Sequence, residues 1–185
     1  MKIIRTNFKD LLIIKQPKFK DYRGNLRLTF HNKKINFNKF IFDYAVKSKK
    51  NVLRGLHFQF KNQQAKLITV LKGKIFDVVV DLRKKSKTFG KCFSIILSEN
   101  NCKSFYIPEG FAHGYYCLQE ENIIYYRLSN YYNPSYEGGL IWNDNKIGIK
   151  WPKGKKILSK KDRSLKDLNT FYQNFKSRWQ GRCGN

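Results

Sequence analysis

Asn51-Val-Leu-Arg-Gly-Leu-His-Phe-Gln59 brings a cation, a glycine and an imidazole within four positions, among apolar residues. Side chains alternate along a strand, so Leu56, Phe58 and Phe60 take one face and Gly55, His57 and Gln59 the other. His57 then points away from the Leu/Phe face, into whatever space the opposite face lines. Strict alternation separates Arg54 from His57. Gly55 lies between them, and a glycine is where a bulge turns two such side chains to the same side. Two readings of His57 stand together at this point: a hydrogen-bonded core or surface histidine, and a working imidazole of a pocket.

The β signal spreads outward from this stretch. Before it, Leu26 to Phe30 and Phe40 to Val46 read as strands. After it, Lys66-Leu-Ile-Thr-Val-Leu71 ends at the turn Lys72-Gly-Lys74, and Ile75-Phe-Asp-Val-Val-Val-Asp-Leu82 completes a hairpin. Cys92 to Leu97, Lys103 to Ile107, Phe111 to Leu118 and Asn122 to Leu128 follow, with polar or Pro/Gly turns between them. Many short strands separated by turn signals predict an all-β sandwich or barrel. Helical periodicity is confined to the end, where Leu165 to Trp179 predicts one basic helix. There is no internal repeat and no long linker. The 185 residues suit a single domain.

The formal net charge is +25, from 38 Lys+Arg against 13 Asp+Glu, which suits a phosphate-bearing partner. The same chain has three alanines and abounds in Lys, Asn, Ile, Phe and Tyr, residues encoded by AT-rich codons, so composition accounts for much of the charge. The basic residues are scattered, in short clusters such as Lys47-Ser-Lys-Lys50 that suit solvated loops. A nucleic-acid interface is therefore not expected, and an anionic small molecule fits the charge equally well. No apolar run approaches the roughly 20 residues of a membrane helix. Met1 to Phe8 lacks the pattern of an export signal, so a cytoplasmic protein is expected. Cys92, Cys102, Cys117 and Cys183 form no C-x-x-C pair and read as reduced thiols.

The histidines are His31, His57 and His113. Metal-binding β-sandwiches commonly supply two histidines at i and i+2, then a Glu, then a distant His. Here Gln59 stands two beyond His57, no Glu occurs from Phe60 to Val70, and His31 reads as solvent-exposed. No metal site is expected. Asp77 and Asp81 share a strand face with Ile75 and Val79 and read as partners of nearby cations. What remains is acid–base chemistry: His57 titrates near neutral pH, Asp162 is placed to orient it, Tyr126 is a candidate acid, and Lys66 and Arg54 are candidates to hold an oxyanion.

Arg54-Gly-Leu-His-Phe-Gln59, Ala65-Lys-Leu67, Asp77-Val-Val-Val-Asp81, Ile107-Pro-Glu-Gly-Phe-Ala-His-Gly114, Tyr131-Tyr-Asn-Pro134, Glu137-Gly-Gly-Leu-Ile-Trp-Asn-Asp144, Ile147-Gly-Ile-Lys-Trp-Pro152 and Ile157-Leu-Ser-Lys-Lys-Asp162 together resemble the dTDP-4-dehydrorhamnose 3,5-epimerases, in order, over roughly residues 3 to 165. The resemblance implies a cupin-type jelly-roll β-sandwich with its core at about 20–150, and a partly helical segment 151–185 that contributes Asp162. It implies a homodimer, no metal or organic cofactor, and a nucleotide-linked 4-keto-6-deoxyhexose as substrate. His57 matches the base, paired with Asp162, and Tyr126 the acid. Lys66 matches a lysine near the sugar oxygen. Arg54, Gln59, His113 and Tyr132 match pocket positions, and Arg23 and Lys161 match positions near the diphosphate. The chain departs from the family at Phe40-Ile-Phe-Asp-Tyr44, where the usual pattern is Phe-Val-Gln-Asp-Asn, and at Leu28, where a Glu is usual. Phe42 and Tyr44 thus stand where amides commonly approach the base. A 3-epimerase, an epimerase of another nucleotide sugar, a sugar-nucleotide-binding module and a basic nucleic-acid-binding protein are the alternatives.

Overall fold

The computed structural model describes residues 1–175. It holds thirteen strands: β1 (Lys2–Arg5), β2 (Leu12–Lys15), β3 (Lys18–Asp21), β4 (Gly24–Arg27), β5 (Phe42–Lys49), β6 (Leu53–Gln59), β7 (Lys66–Lys72), β8 (Lys74–Asp81), β9 (Cys92–Ser98), β10 (Lys103–Ile107), β11 (Phe111–Cys117), β12 (Glu121–Leu128) and β13 (Glu137–Gly139). Two short helices follow, α1 (Lys160–Arg163) and α2 (Leu168–Phe175). The strands form a six-stranded sheet, β1-β2-β10-β7-β12-β5, and a five-stranded sheet, β13-β6-β11-β8-β9. A separate ribbon joins β3 to β4. Successive strands cross between the sheets, as from β6 to β7 and from β10 to β11, which is the winding of a jelly-roll sandwich.

Three apolar clusters hold these layers. Ile68, Val70, Ile75, Val79, Phe105, Tyr115 and Ile124 fill the space between the sheets. Leu56, Phe58, Val78 and Val80, on the outer face of the five-stranded sheet, are covered by Leu140, Ile147 and Phe171 from the C-terminal segment. Leu12, Ile14, Ile35, Leu67 and Tyr106 cover the far side of the six-stranded sheet. With both faces buried, β8 carries the unbroken run Val78-Val-Val80 instead of a polar alternation. The C-terminal segment is also tied by parallel bridges, Val52 to Ile157 and Leu140 to Lys166.

Several boundaries differ from the sequence reading. The sandwich begins at Lys2 rather than near residue 20, because β2 pairs with β10 and β1 with β2. These strands are four residues each and end in lysine or arginine, which hides their period. The strand expected over Leu26 to Phe30 is β4, which stops at Arg27. The single helix expected from Leu165 starts instead at Leu168, where Asp167 accepts from the Thr170 amide at 2.8 Å as an N-cap. Residues 176–179 of that helix, and Cys183, lie outside the described residues. Cys92, Cys102 and Cys117 are free thiols. His31 is half-buried rather than exposed. Among the described residues, no helix is long and apolar enough to cross a membrane.

Candidate active site

The bulge expected at Gly55 exists. Along the β6–β11 pair, His57 faces His113 and Arg54 faces Tyr115, so three steps on β6 match two on β11. His113 and Tyr115 point to one side, and Arg54 and His57 therefore do too. Gly55 has φ +113, and a Cβ there would lie 2.6 Å from the Gly114 Cα and 2.7 Å from the His113 carbonyl oxygen. Only glycine allows the two strands to approach this closely.

Around His57 the chain assembles a polar group inside the sandwich. Asp162, at the first turn of α1, is 3% exposed and its Oδ1 lies 2.6 Å from His57 Nε2. Burial pulls the Asp162 carboxyl upward, but the hydrogen bond and charge of His57, with the Ser159 hydrogen bond, outweigh it and leave the acid below its usual range. The other ring nitrogen, Nδ1, lies 3.9 Å from Glu137. Lys66, at the start of β7, is 9% exposed and donates to the His57 carbonyl at 3.4 Å. Burial depresses its ammonium to about 8, against the pull of Asp77 and Glu137. His113 is buried beside Asp77, both of whose carboxylate oxygens lie 3.0 Å from His113 Nε2. Burial lowers His113 and raises Asp77. Tyr126 is 5% exposed, its ring 6.0 Å from that of His113, and burial raises its phenol well above the usual value. Such a phenol keeps its proton throughout the neutral range.

At the mouth, Glu137 of β13 receives hydrogen bonds from Tyr132, at 2.5 Å, and from Lys161. Exposed Arg54 donates through Nε to the Ser48 hydroxyl at 3.2 Å. Among the described residues, no group of three His, Cys, Asp or Glu side chains is arranged to hold a metal ion.

A statistical model of the dTDP-4-dehydrorhamnose 3,5-epimerase family matches residues 5–170. The chain is 46% identical over 158 residues to the dTDP-4-dehydrorhamnose 3,5-epimerase of Salmonella typhimurium, covering 82% of this chain and 86% of that one. It is 41% identical over 174 residues to the enzyme of the same name from Methanothermobacter thermautotrophicus, covering 90% and 94%. The crystal structure of the dTDP-6-deoxy-D-glucose-3,5-epimerase of Legionella pneumophila, in complex with dTDP-4-keto-L-rhamnose, superposes with a TM-score of 0.88 at 40% identity, covering 91% of this chain and 93% of that one. The chain belongs to the dTDP-4-dehydrorhamnose 3,5-epimerase family. It is an isomerase of the cupin-type fold.

Within this epimerase, the expected residues sort into three groups. His57, Asp162, Lys66, His113 and Tyr126 converge on the interior, with Arg54, Tyr132 and Lys161 toward the mouth. Gln59 is close by, but its amide is occupied by the loop backbone: Nε2 donates to the Asn62 and Tyr131 carbonyls at 2.8 and 3.2 Å, and Oε1 accepts from the Asn133 amide at 2.6 Å. It holds the loop that carries Tyr132, and one acceptor site of Oε1 stays open. Arg23 stands apart, at the tip of the β3–β4 ribbon, with its partners Asp21 at 2.7 Å and the ring of Tyr22. Its side chain is 74% exposed.

Two carboxylates escaped the sequence reading. Asp81 is, as read, the partner of a cation, Arg83. Asp77 is instead the buried partner of His113. The alternation Ile75, Asp77, Val79 signalled that it faces the core, where a carboxylate needs a specific partner. Glu137 sits in a quoted motif, yet nothing in its spacing tied it to His57. Tyr44, which stands where the family pattern has an amide, lies against Tyr126, 4.8 Å between ring centroids.

Proposed function

We propose that this enzyme inverts C3 and C5 of dTDP-4-dehydro-6-deoxyglucose to give dTDP-4-dehydrorhamnose, for deoxysugar and surface-polysaccharide synthesis, with no metal or organic cofactor. The observation that carries the reading is the half-buried His57 imidazole on the buried Asp162 carboxylate, beside Lys66 and with Tyr126 in the adjoining core. A C4 ketone acidifies the hydrogens on C3 and C5. Asp162 engages Nε2, so His57 takes the proton through Nδ1, and the electron pair moves to the C4 oxygen as an enolate. Charged Lys66 and Arg54 stabilise that oxygen. Tyr126 then gives its proton to the carbon from the opposite face, and solvent restores both groups to their starting states. The Asp162 carboxylate stabilises the imidazolium formed on the way.

The same reading includes a homodimer and a cytoplasmic location. Support for the dimer comes from the β3–β4 ribbon, which leaves Phe19 62%, Leu26 64% and Tyr22 97% exposed. A second copy packed on that ribbon covers these apolar side chains and explains why Arg23, matched to a diphosphate position, lies away from its own pocket.

Incubation in D2O with dTDP-4-dehydro-6-deoxyglucose, read by mass, tests the reading. Two deuterons per product are expected, and one selects the 3-epimerase alternative. None refutes the activity on this substrate. Tyr126→Phe should keep exchange through His57 while losing most of the inversion, since acid–base groups contribute ~10²–10⁴-fold.

A further inference from the structure

Tyr126 and Tyr44 are directly opposed residues of the β12–β5 pair. Their rings stack at 4.8 Å with planes 19° apart. The edge of His113 meets Tyr126 at 6.0 Å and 65°. Among the described residues, no hydrogen bond holds the Tyr126 hydroxyl, so packing sets its direction: the core cluster on its inner side and these two rings. Tyr44 is itself backed by Phe42, at 5.7 Å, which in turn meets Tyr131 at 5.9 Å. The result is a row of aromatic rings along the edge strand β5, with the candidate acid at its inner end. Tyr44 is 39% exposed, so this support stands at the open side of the pocket. Burial, and after it the charge of Glu137, push its own hydroxyl to about 12, so Tyr44 acts through its ring and not as a charge.

We propose that Tyr44 is a positioning residue that aims the Tyr126 phenol at the carbon to be protonated. The proposal rests on the acid role given to Tyr126 above. The family pattern quoted for this position has an asparagine, which offers no ring to stack, so the device belongs to this chain. An acid that must reach one face of an enolate loses effect when its ring swings, whereas removal of the proton by His57 does not depend on Tyr44.

The test is the ratio of deuterium exchange without inversion to inversion, measured for Tyr44→Phe, Tyr44→Leu and Tyr44→Ala in the full chain. A stacked aromatic pair biases an equilibrium by roughly two- to tenfold. The ratio is expected to rise about three- to tenfold in the Leu and Ala variants and to stay at the wild-type value in Phe. A rise of under about twofold in both truncations overturns the proposal, as does a Phe variant that behaves like Leu. A proportional fall of exchange and inversion also overturns it, because that marks a collapsed pocket. Tyr126→Phe, run alongside, separates the two levels. If Tyr126→Phe leaves the ratio unmoved, the acid role fails and takes the proposal with it. If Tyr126→Phe raises the ratio and the Tyr44 variants do not, only the positioning role fails.

Discussion

Raising the pH through 8 takes the proton from Lys66 while the phenols of the pocket keep theirs. Burial sets the Lys66 ammonium at about 8, from an ordinary 10.5. Tyr132 is held up at about 12 by its hydrogen bond to Glu137, and burial keeps Tyr126 well above its usual value. The charged fraction of Lys66 therefore falls from about 0.9 at pH 7 to about 0.03 at pH 9.5, and kcat/KM, which follows the free enzyme, should fall about thirtyfold. Stability should move the other way. The folded Lys66 loses its proton before the unfolded one does, so between about 8 and 10.5 the unfolded chain binds more protons and stability rises with pH. The gap from 10.5 to about 8 corresponds to a cost of about 3 kcal/mol, present below pH 8 and relieved by 10.5. Initial rates from pH 6 to 10, paired with denaturant unfolding at each pH, measure both. In Lys66→Arg the alkaline limb should vanish, since a guanidinium does not titrate there. A wild-type profile flat to pH 9.5, or an unchanged limb in Lys66→Arg, refutes the assignment of charged Lys66 to the enolate.

Asp162→Asn should keep the fold and lower kcat roughly ten- to hundredfold, the worth of a charge-assisted hydrogen bond of about 1.5–3 kcal/mol; a loss below about threefold would remove Asp162 from the mechanism. Gly55→Ala should lower Tm by about 2–12 °C, because the added Cβ meets the Gly114 backbone at a φ that costs ~1–3 kcal/mol. Thermal unfolding checks this, and an unchanged Tm means the strands can separate there without loss.

The central strands were legible because their signals are local. Lys103–Ile107 is bounded by polar and Pro/Gly turns and is seen as read. The Gly55 bulge was legible too, since a glycine between two polar functional side chains has few other uses. What escaped depends on contacts between distant parts of the chain. β2 is a strand only because β10 offers it an edge, and β1 because β2 does. Asp77 reads as one of several carboxylates until β11 sets His113 across from Val79, one pleat away. Gln59 has the composition of a ligand-binding amide, and only the loop over 129–133 shows where its bonds go. Arg23 matches a site position by sequence, yet in the fold it stands at the tip of the β3–β4 ribbon, paired with Asp21.

The distance along the chain between His57 and Asp162 has a consequence for when the enzyme becomes active. The two sheets close with β13, and Asp162 comes later, in α1. A chain emerging from the ribosome, N-terminus first, can therefore complete its sandwich while His57 still lacks its carboxylate. The base is oriented only after the C-terminal segment lies back across β6, through the Val52–Ile157 bridge and the contact of Phe171 with Phe58. On the proposed role of Asp162, full catalytic competence is thus a late event in the life of the polypeptide, and the same closing step covers the outer apolar face of β6 and β8 with Leu140, Ile147 and Phe171.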